Sequence, residues 1–446
     1  MQFATTDAQQ APPIHRLTLD NGITLLVIEN PTADIIATRI FLRAGSRWEA
    51  PPQAGLSHLV SAVLTKGTET LSSLAIAEQV EALGASLSTD ATTDYFLISM
   101  KCVSPDFEEM LHLVGEILRS PSFPEAEVEL ERRVTLQAIR SQQEQPFTVA
   151  FDQLRKSMYG EHPYALSGLG TEATVTQLAR ADLQAYHQTH FRPDNLIISL
   201  SGRIQVDRAI ALVEQVLGDW HPPASPLPVL QLPPVELRPS RHAIAQDTQQ
   251  SILMLGYLAP AVLAPTQAAS PKDPTQPPTL AADYAVLKLI NSYLGNGLSS
   301  RLFVELREKR GLAYEVSAFY TTRLDVSQFV AYMGTAPENT AIALEGLQAE
   351  IDRLQTTPLP AEDLQAAKNK VLGQYALGKQ TNAQIAQTYG WYEALGVGIT
   401  FDSYFQNQIA NVTADQIQAA AVQYLTTPYL SLVGPARAVH ELVELA

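Results

Sequence analysis

Two stretches of the sequence hold side chains whose types and spacing could do chemistry. In the first, residues 55–68, apolar side chains recur at helical spacing, and His58 lies one turn before Ala62. Residues four apart share a helix face, so a histidine at position 62 would complete a pair of imidazole metal ligands. A glutamate at position 61 would add a general base, in the pattern H-x-x-E-H. The chain has Ser61 and Ala62 instead, which leaves His58 without its companions.

The second stretch is residues 294–314, in the other half of the chain. It begins with a glycine turn and continues as a helix that ends at Gly311, after which Tyr314 opens a strand. Arg307 lies near the end of that helix. The glycine turn consists of Gly295, Asn296 and Gly297. The same composition is typical of an ordinary solvated helix end followed by a strand, so a purely structural reading stays open.

The sequence around these sites resembles that of the M16 metallopeptidase family, whose relatives include mitochondrial processing peptidase. The resemblance rests on Gly-Leu-x-His before the first site, Leu-x-Lys-Gly-Thr after it, and Glu-Arg-x-Val-x-Leu at residues 131–136. In that family a third zinc ligand, a glutamate, follows the last run, and its position falls on Ala138. A catalytic zinc needs three protein ligands and an open position for water. We therefore expect no zinc in this chain, with His58 a partly exposed leftover imidazole; a working ligand is the alternative.

The resemblance also implies roles for the second stretch. Peptide-cleaving members carry an arginine and a tyrosine at the spacing of Arg307 and Tyr314. The tyrosine hydroxyl would donate a hydrogen bond to the scissile carbonyl as it becomes an oxyanion, while the arginine holds the peptide. The glycine turn corresponds to the family's glycine-rich segment, and could contact substrate or be a plain turn. A further predicted strand consists of Ser86, Leu87, Ser88, Thr89 and Asp90. It could be the edge strand to which a peptide adds, as in the family, or an ordinary strand of the sheet.

Composition narrows the classes of partner and compartment. The formal net charge is −16 with no Lys/Arg block, so nucleic acid and anionic membrane surfaces are poor candidates. A lone Cys102 excludes an internal disulfide framework. No signal peptide and no run of membrane-spanning length is visible. These features predict a cytoplasmic protein, or a periplasmic one if a leader was removed.

The order of predicted elements repeats, which indicates a duplicated α+β fold. Two predicted helices, 107–119 and 125–143, flank a Pro-containing turn, and 338–354 and 361–377 repeat that unit. We predict two homologous domains, each a mainly antiparallel β-sheet packed with helices, at residues 13–220 and 241–446. Residues 221–240, rich in proline, would be the linker. Residues 259–280 are predicted to be an inserted mobile loop. His187 and His190 are predicted to lie on the protein surface.

The asymmetry between a lost zinc site and a kept Arg/Tyr pair favours one function. Some bacterial M16 peptidases resemble this arrangement, with H-x-x-E-H on one subunit and the Arg/Tyr pair on a sister. We expect a non-catalytic subunit of a heterodimeric zinc metallopeptidase, with peptide substrates and with zinc in the partner. Alone, the chain could form a homodimer. The alternative is a non-proteolytic structural or peptide-binding M16-like protein; an active enzyme with substitute ligands is disfavoured.

Overall fold

The structure is a computed structural model that describes residues 13–264 and 280–444. The strands are β1 (Ile14–Thr18), β2 (Thr24–Glu29), β3 (Ile35–Leu42), β4 (Ser86–Ala91), β5 (Phe96–Val103), β6 (Leu196–Gly202), β7 (Arg241–Ala245), β8 (Ser251–Ala259), β9 (Glu315–Tyr320), β10 (Ser327–Thr335) and β11 (Tyr429–Gly434). The helices of the first half are α1 (Leu56–Val63), α2 (Ser73–Ala82), α3 (Phe107–Arg119), α4 (Glu125–Gln143), α5 (Pro146–Tyr159), α6 (Glu172–Gln177), α7 (Arg180–His190) and α8 (Val206–Leu217).

The second half adds α9 (Tyr284–Gly295), a π-helix (Phe303–Lys309), α10 (Thr340–Thr356), α11 (Ala361–Leu377), α12 (Asn382–Leu395), α13 (Phe401–Asn411), α14 (Ala414–Tyr424) and α15 (Ala436–Glu444). Short 3₁₀ turns occur at Ser46–Trp48, Pro51–Gln53, Ser104–Asp106, Pro163–Ala165, Pro193–Asn195 and Pro337–Asn339. Within the described ranges, no helix is long and apolar enough to cross a membrane.

The strands form two sheets that share one pattern of neighbours, and the first sheet has β1 as an additional antiparallel edge strand beside β2. The first has the order β1-β2-β6-β3-β5-β4, and the second has the order β7-β11-β8-β10-β9. In each sheet one parallel pair, β2–β6 or β7–β11, is followed by antiparallel pairs out to the last strand. β4 and β9 therefore occupy equivalent edges. This repetition confirms the predicted α+β fold of two similar, mainly antiparallel halves.

The helix–Pro–helix units form because prolines between the paired helices interrupt them, as the sequence predicts. α3 and α4 begin and end at the predicted residues, and the turn between them holds Pro121 and Pro124, which cannot continue a helix. The apolar face of α3 is buried against the first sheet's core through Phe107, Met110 and Leu111. α10 and α11 repeat the unit in the second half.

Each half lends one helix to the sheet of the other half. α5 packs on β8 and β11, where Leu154 and Met158 join a core cluster with Met254 and Val433. α12 packs on β3 and β6 of the first sheet. Its Gly390 lies so close to β3 that an added Cβ would stand 2.4 Å from a ring carbon of Phe41. The two halves consequently share buried surface, although each sheet uses strands from one half only.

Residues 221–240 contain neither helix nor strand, which fits a linker, and their Val229 is 86% exposed. The boundaries of the two domains stay a prediction. The predicted loop 259–280 needs correction at its ends, because Ala259, Val262, Leu263 and Leu280 are buried in the second core. Residues 265–279 lie outside the described part of the chain.

The predicted exposure of two histidines is wrong. His187 and His190 are 8% and 5% exposed, because they lie on the same face of α7 as the buried Leu183 and Tyr186. His187 Nε2 is 2.9 Å from the carbonyl oxygen of Leu118, and His190 packs against the Tyr186 ring at 4.5 Å. Their i, i+3 spacing belongs to a core-facing helix stripe.

Candidate functional site

The helix that carries the first site begins at a glycine and is capped from a distance. Gly55 precedes α1 with a φ of 96°, and no side chain at this N-cap accepts a hydrogen bond. The Glu49 carboxylate accepts from the backbone N–H of Gly55 at 2.9 Å and of Ser57 at 2.6 Å. These are two of the donors that a helix start leaves unpaired. Burial raises the pKa of Glu49 to about 7, against the opposing effect of these hydrogen bonds.

α1 packs against both α4 and β4, so the predicted metal-site positions and the predicted peptide strand do meet. The Thr89 hydroxyl donates to the carbonyl oxygen of Ser61 at 2.6 Å. The Ser61 hydroxyl donates to the carbonyl oxygen of His58 at 2.7 Å, which uses this side chain within its own helix. His58 itself is half-buried.

The charges around His58 come from two carboxylates on two different elements. Burial lowers the pKa of His58, while Asp90 on β4 and Glu131 on α4 act in the opposite direction. Glu131 also forms a 3.0 Å ion pair with Lys66, which follows the end of α1. Glu131 was not predicted as a site residue. It lies two turns before Ala138, and that i, i+7 spacing on one helix face was the signal available.

The residues at this site do not fit a catalytic zinc. Across the described ranges, no group of three or more His, Cys, Asp or Glu side chains could hold a metal ion. Ala62 and Ala138 have no ligating atom, and Ser61 is engaged with the backbone. A zinc site needs three protein ligands. That the purified chain binds no zinc stays a prediction.

The predicted peptide strand lies at the edge of its sheet. β4 pairs with β5 on one side and is the last strand in the order. Its Ser86, Ser88 and Asp90 are exposed, whereas Leu87 and Thr89 are half-buried on the opposite face. Such an edge presents backbone N–H and C=O groups that an extended peptide could pair with.

The second site lies on the π-helix and the strand that follows it. Arg307 is exposed, and its guanidinium carbon stands 5.0 Å from the centre of the Phe303 ring. Tyr314 is 57% exposed, and its backbone N–H donates to the carbonyl oxygen of Gly334 at 2.9 Å, which anchors the residue beside β10. β9, which starts at the next residue, packs against the π-helix. Arg307 and Tyr314 are therefore presented by neighbouring elements.

The glycine turn has clear structural reasons. An added Cβ at Gly295 would stand 2.0 Å from the backbone nitrogen of Ala318, so only glycine allows α9 to approach β9 this closely. Gly297 has a φ of 83°, in the left-handed region. The Asn296 side chain donates to the Gln374 side chain at 2.9 Å, tying the turn to α11. These contacts support the plain-turn reading without testing a contact with substrate.

Two family models match the sequence in succession. Residues 24–172 match the model described as insulinase (peptidase family M16), and residues 177–371 match the one described as peptidase M16 inactive domain. The two matches together span most of the chain, and they agree with the duplicated fold. The chain belongs to the M16 peptidase family.

Curated relatives and solved structures are similar over nearly the whole length. An uncharacterized zinc protease of Bacillus subtilis is 26% identical over 424 residues, 95% of this chain and 98% of that protein. An uncharacterized zinc protease of Mycobacterium tuberculosis is 24% identical over 425 residues, 94% of this chain and 93% of that protein. A crystal structure described as a peptidase M16 inactive domain from Pseudomonas fluorescens is 25% identical, with a TM-score of 0.85 over 95% of this chain and 98% of that one. A Helicobacter pylori protease shares the fold, with a TM-score of 0.87 at 19% identity over 96% of this chain and 100% of that one.

Proposed function

We propose that this chain is the non-catalytic subunit of a heterodimeric M16-type zinc metallopeptidase. It would help to bind the peptide and stabilise the oxyanion at a zinc site that a partner chain carries. The zinc of the partner would activate the attacking water. This chain would contribute Arg307 as a peptide-holding cation and Tyr314 as a hydrogen-bond donor to the carbonyl oxygen.

The observation that carries the proposal is the contrast between the two sites. At the first site, positions 62 and 138 hold alanine, which has no ligating atom, and the Ser61 hydroxyl is turned back onto its own helix. At the second, neither the Arg307 guanidinium nor the Tyr314 hydroxyl has a hydrogen-bond or ion-pair partner among the described residues, and both side chains are exposed. A donor that is left unpaired at the surface is available to a peptide oxygen.

The pair cannot complete peptide hydrolysis without a partner. An arginine and a tyrosine can bind a carbonyl oxygen and stabilise its developing charge, but neither of them activates the attacking water. The first site of this chain does not supply a metal-bound water either, because its residues do not fit a catalytic zinc. The reaction therefore needs a metal-bound water supplied by another chain. β4 supports peptide binding as a second element, since its free edge could pair with an extended segment.

The test is reconstitution with an M16 subunit from the same organism whose H-x-x-E-H is intact, sought first in a neighbouring gene. Hydrolysis of a fluorogenic peptide library is measured for each chain alone and for the mixture. We expect activity from the mixture only. A partner that cleaves equally fast without this chain would remove the catalytic contribution and leave the structural or peptide-binding alternative.

A further inference from the structure

We propose that Phe303 is a positioning residue for Arg307, and that the ring holds the guanidinium where it can bind a peptide oxygen. This inference rests on the proposed function. The guanidinium carbon lies 5.0 Å from the centre of the Phe303 ring, within the range of a cation–π contact. Phe303 is itself half-buried and packed against the second core, so the ring is held by the body of the protein.

A contact with the face of a ring does not use the hydrogen-bond donors of an arginine. The five N–H groups of the guanidinium remain able to donate, because the ring attracts the cation through its charge and accepts no conventional hydrogen bond here. Arg307 can therefore still present two donors to a carbonyl or carboxylate oxygen. The contact with the ring also restricts the long arginine side chain before binding, so less conformational entropy is lost when the peptide binds.

The Glu305 carboxylate of the same π-helix is paired with other cations. Glu305 forms ion pairs with Arg301 at 2.9 Å and with Lys309 at 2.8 Å. The side chain of Arg301 is also bound to Glu350 at 2.7 Å. Arg307 has no ion pair with any residue that the structure describes. An aromatic contact thus holds this arginine in place without neutralising the charge that an anionic oxygen would meet.

The helix type at this point is unusual. Phe303–Lys309 is a π-helix, a form that is rare and occurs frequently at functional sites. Phe303 and Arg307 both lie inside it, so their relative position depends on this local winding. The backbone N–H of Gly311 closes the segment by donating to the carbonyl oxygen of Arg307 at 3.1 Å, just before the chain turns toward Tyr314.

The test uses peptide hydrolysis by the reconstituted pair, with changes in this chain only. Phe303→Leu removes the ring and keeps apolar bulk, whereas Phe303→Tyr keeps the ring and is the matched control. We expect Phe303→Leu to raise KM about two- to five-fold with kcat unchanged, the size of an exposed cation–π contact of ~0.5–1 kcal/mol, and Phe303→Tyr to resemble wild type. In an Arg307→Gln background, Phe303→Leu should raise KM no further, because the two residues act as a unit.

Replacement of Phe303 by pentafluorophenylalanine keeps the shape of the ring and reverses the charge of its face. This replacement keeps the test decisive if Phe303→Leu disturbs folding. We expect it to cause the same rise in KM and to leave the melting temperature unchanged. If Arg307→Gln leaves KM unaltered, the proposed role of Arg307 fails and this inference fails with it. If Arg307→Gln raises KM while the fluorinated ring has no effect, or if the two changes add fully, only the positioning role is overturned.

Discussion

At the scale of single residues, the two predicted sites differ in the side chains that they present. The positions that the resemblance predicts as zinc ligands, 62 and 138, hold alanine. Lys66, just after α1, forms an ion pair with Glu131 of α4. In the other half, the Tyr314 side chain is 57% exposed, and its hydroxyl has no hydrogen-bond partner among the described residues.

The Tyr314→Phe variant isolates that hydroxyl. Because only one oxygen is removed from an exposed ring, folding and assembly should be unchanged. Loss of one preorganised oxyanion donor typically lowers kcat by about 10²–10³, with little change in KM. The measurement is steady-state peptide hydrolysis by the reconstituted pair. His58→Ala is the control and should have almost no effect, and a Tyr314→Phe pair as fast as wild type contradicts the donor role.

Substitution at the predicted ligand positions should create a metal site. In the double variant Ala62→His/Ala138→Glu, His58 and the new histidine would lie on one face of α1, and the new glutamate would add a carboxylate on α4, which packs against α1. We expect the double variant to hold about one tightly bound zinc per chain, and wild type and each single variant to hold none. Elemental analysis after dialysis against a weak chelator measures this. Stoichiometric zinc in the wild-type chain that disappears with His58→Ala would show that the site was never lost.

At the scale of elements, α7 buries two histidines whose lowered pKa values make the stability of the fold depend on pH. Burial lowers the pKa of His187 and of His190 to about 4, from an ordinary value of 6.5. The folded state thus binds fewer protons than the unfolded chain between these values. Stability is fully present above pH 6.5 and is lost as the pH falls toward 4.

His190→Phe should flatten this acid dependence, because the ring that must stay neutral is removed. A shift of this size corresponds to up to about 3 kcal/mol of unfolding free energy between pH 7 and 4. Urea titrations at a series of pH values measure it, with the exposed His112→Gln as the control. Parallel pH profiles for wild type and His190→Phe would refute the assignment to α7.

At the scale of the whole molecule, the exchange of α5 and α12 couples the two halves. Each helix belongs to one half by sequence and to the other by packing. We expect the halves to unfold in one cooperative transition for this reason.

Gly390→Leu should weaken that coupling, since its side chain would be forced against the buried Phe41. Overpacking of this kind costs about 1–3 kcal/mol. Calorimetry should show a lower melting temperature, or two separated transitions. Gly373→Leu is the matched control, because an added Cβ there meets nothing within 4 Å. Equal melting temperatures for the two variants would mean that α12 does not hold the halves together.

Much of the architecture could be predicted because it depends on local periodicity. The bounds of α3 and α4 follow from amphipathic spacing between breakers, α11 spans the predicted residues 361–377, and the duplicated order of elements follows from their succession. By contrast, α12 was missed, since its buried residues surround the helix where both halves contact it and leave no clean stripe. Burial of His187 and His190 was missed because spacing alone does not say which helix face meets the core.

The sequence by itself determined that Ala62 and Ala138 offer no ligating atom, because an alanine side chain has none in any fold. The candidates Arg307 and Tyr314 came from the resemblance to the M16 family, whose peptide-cleaving members carry an arginine and a tyrosine at this spacing. Only the tertiary structure decided which carboxylates surround His58, that Glu49 caps α1, and that Phe303 lies under Arg307. The physical reason is that the site of His58 is built from elements far apart in the chain, and their contacts depend on how the sheets and helices pack. The contact between Phe303 and Arg307 is local in sequence, but it depends on a helix type that the residue pattern did not reveal.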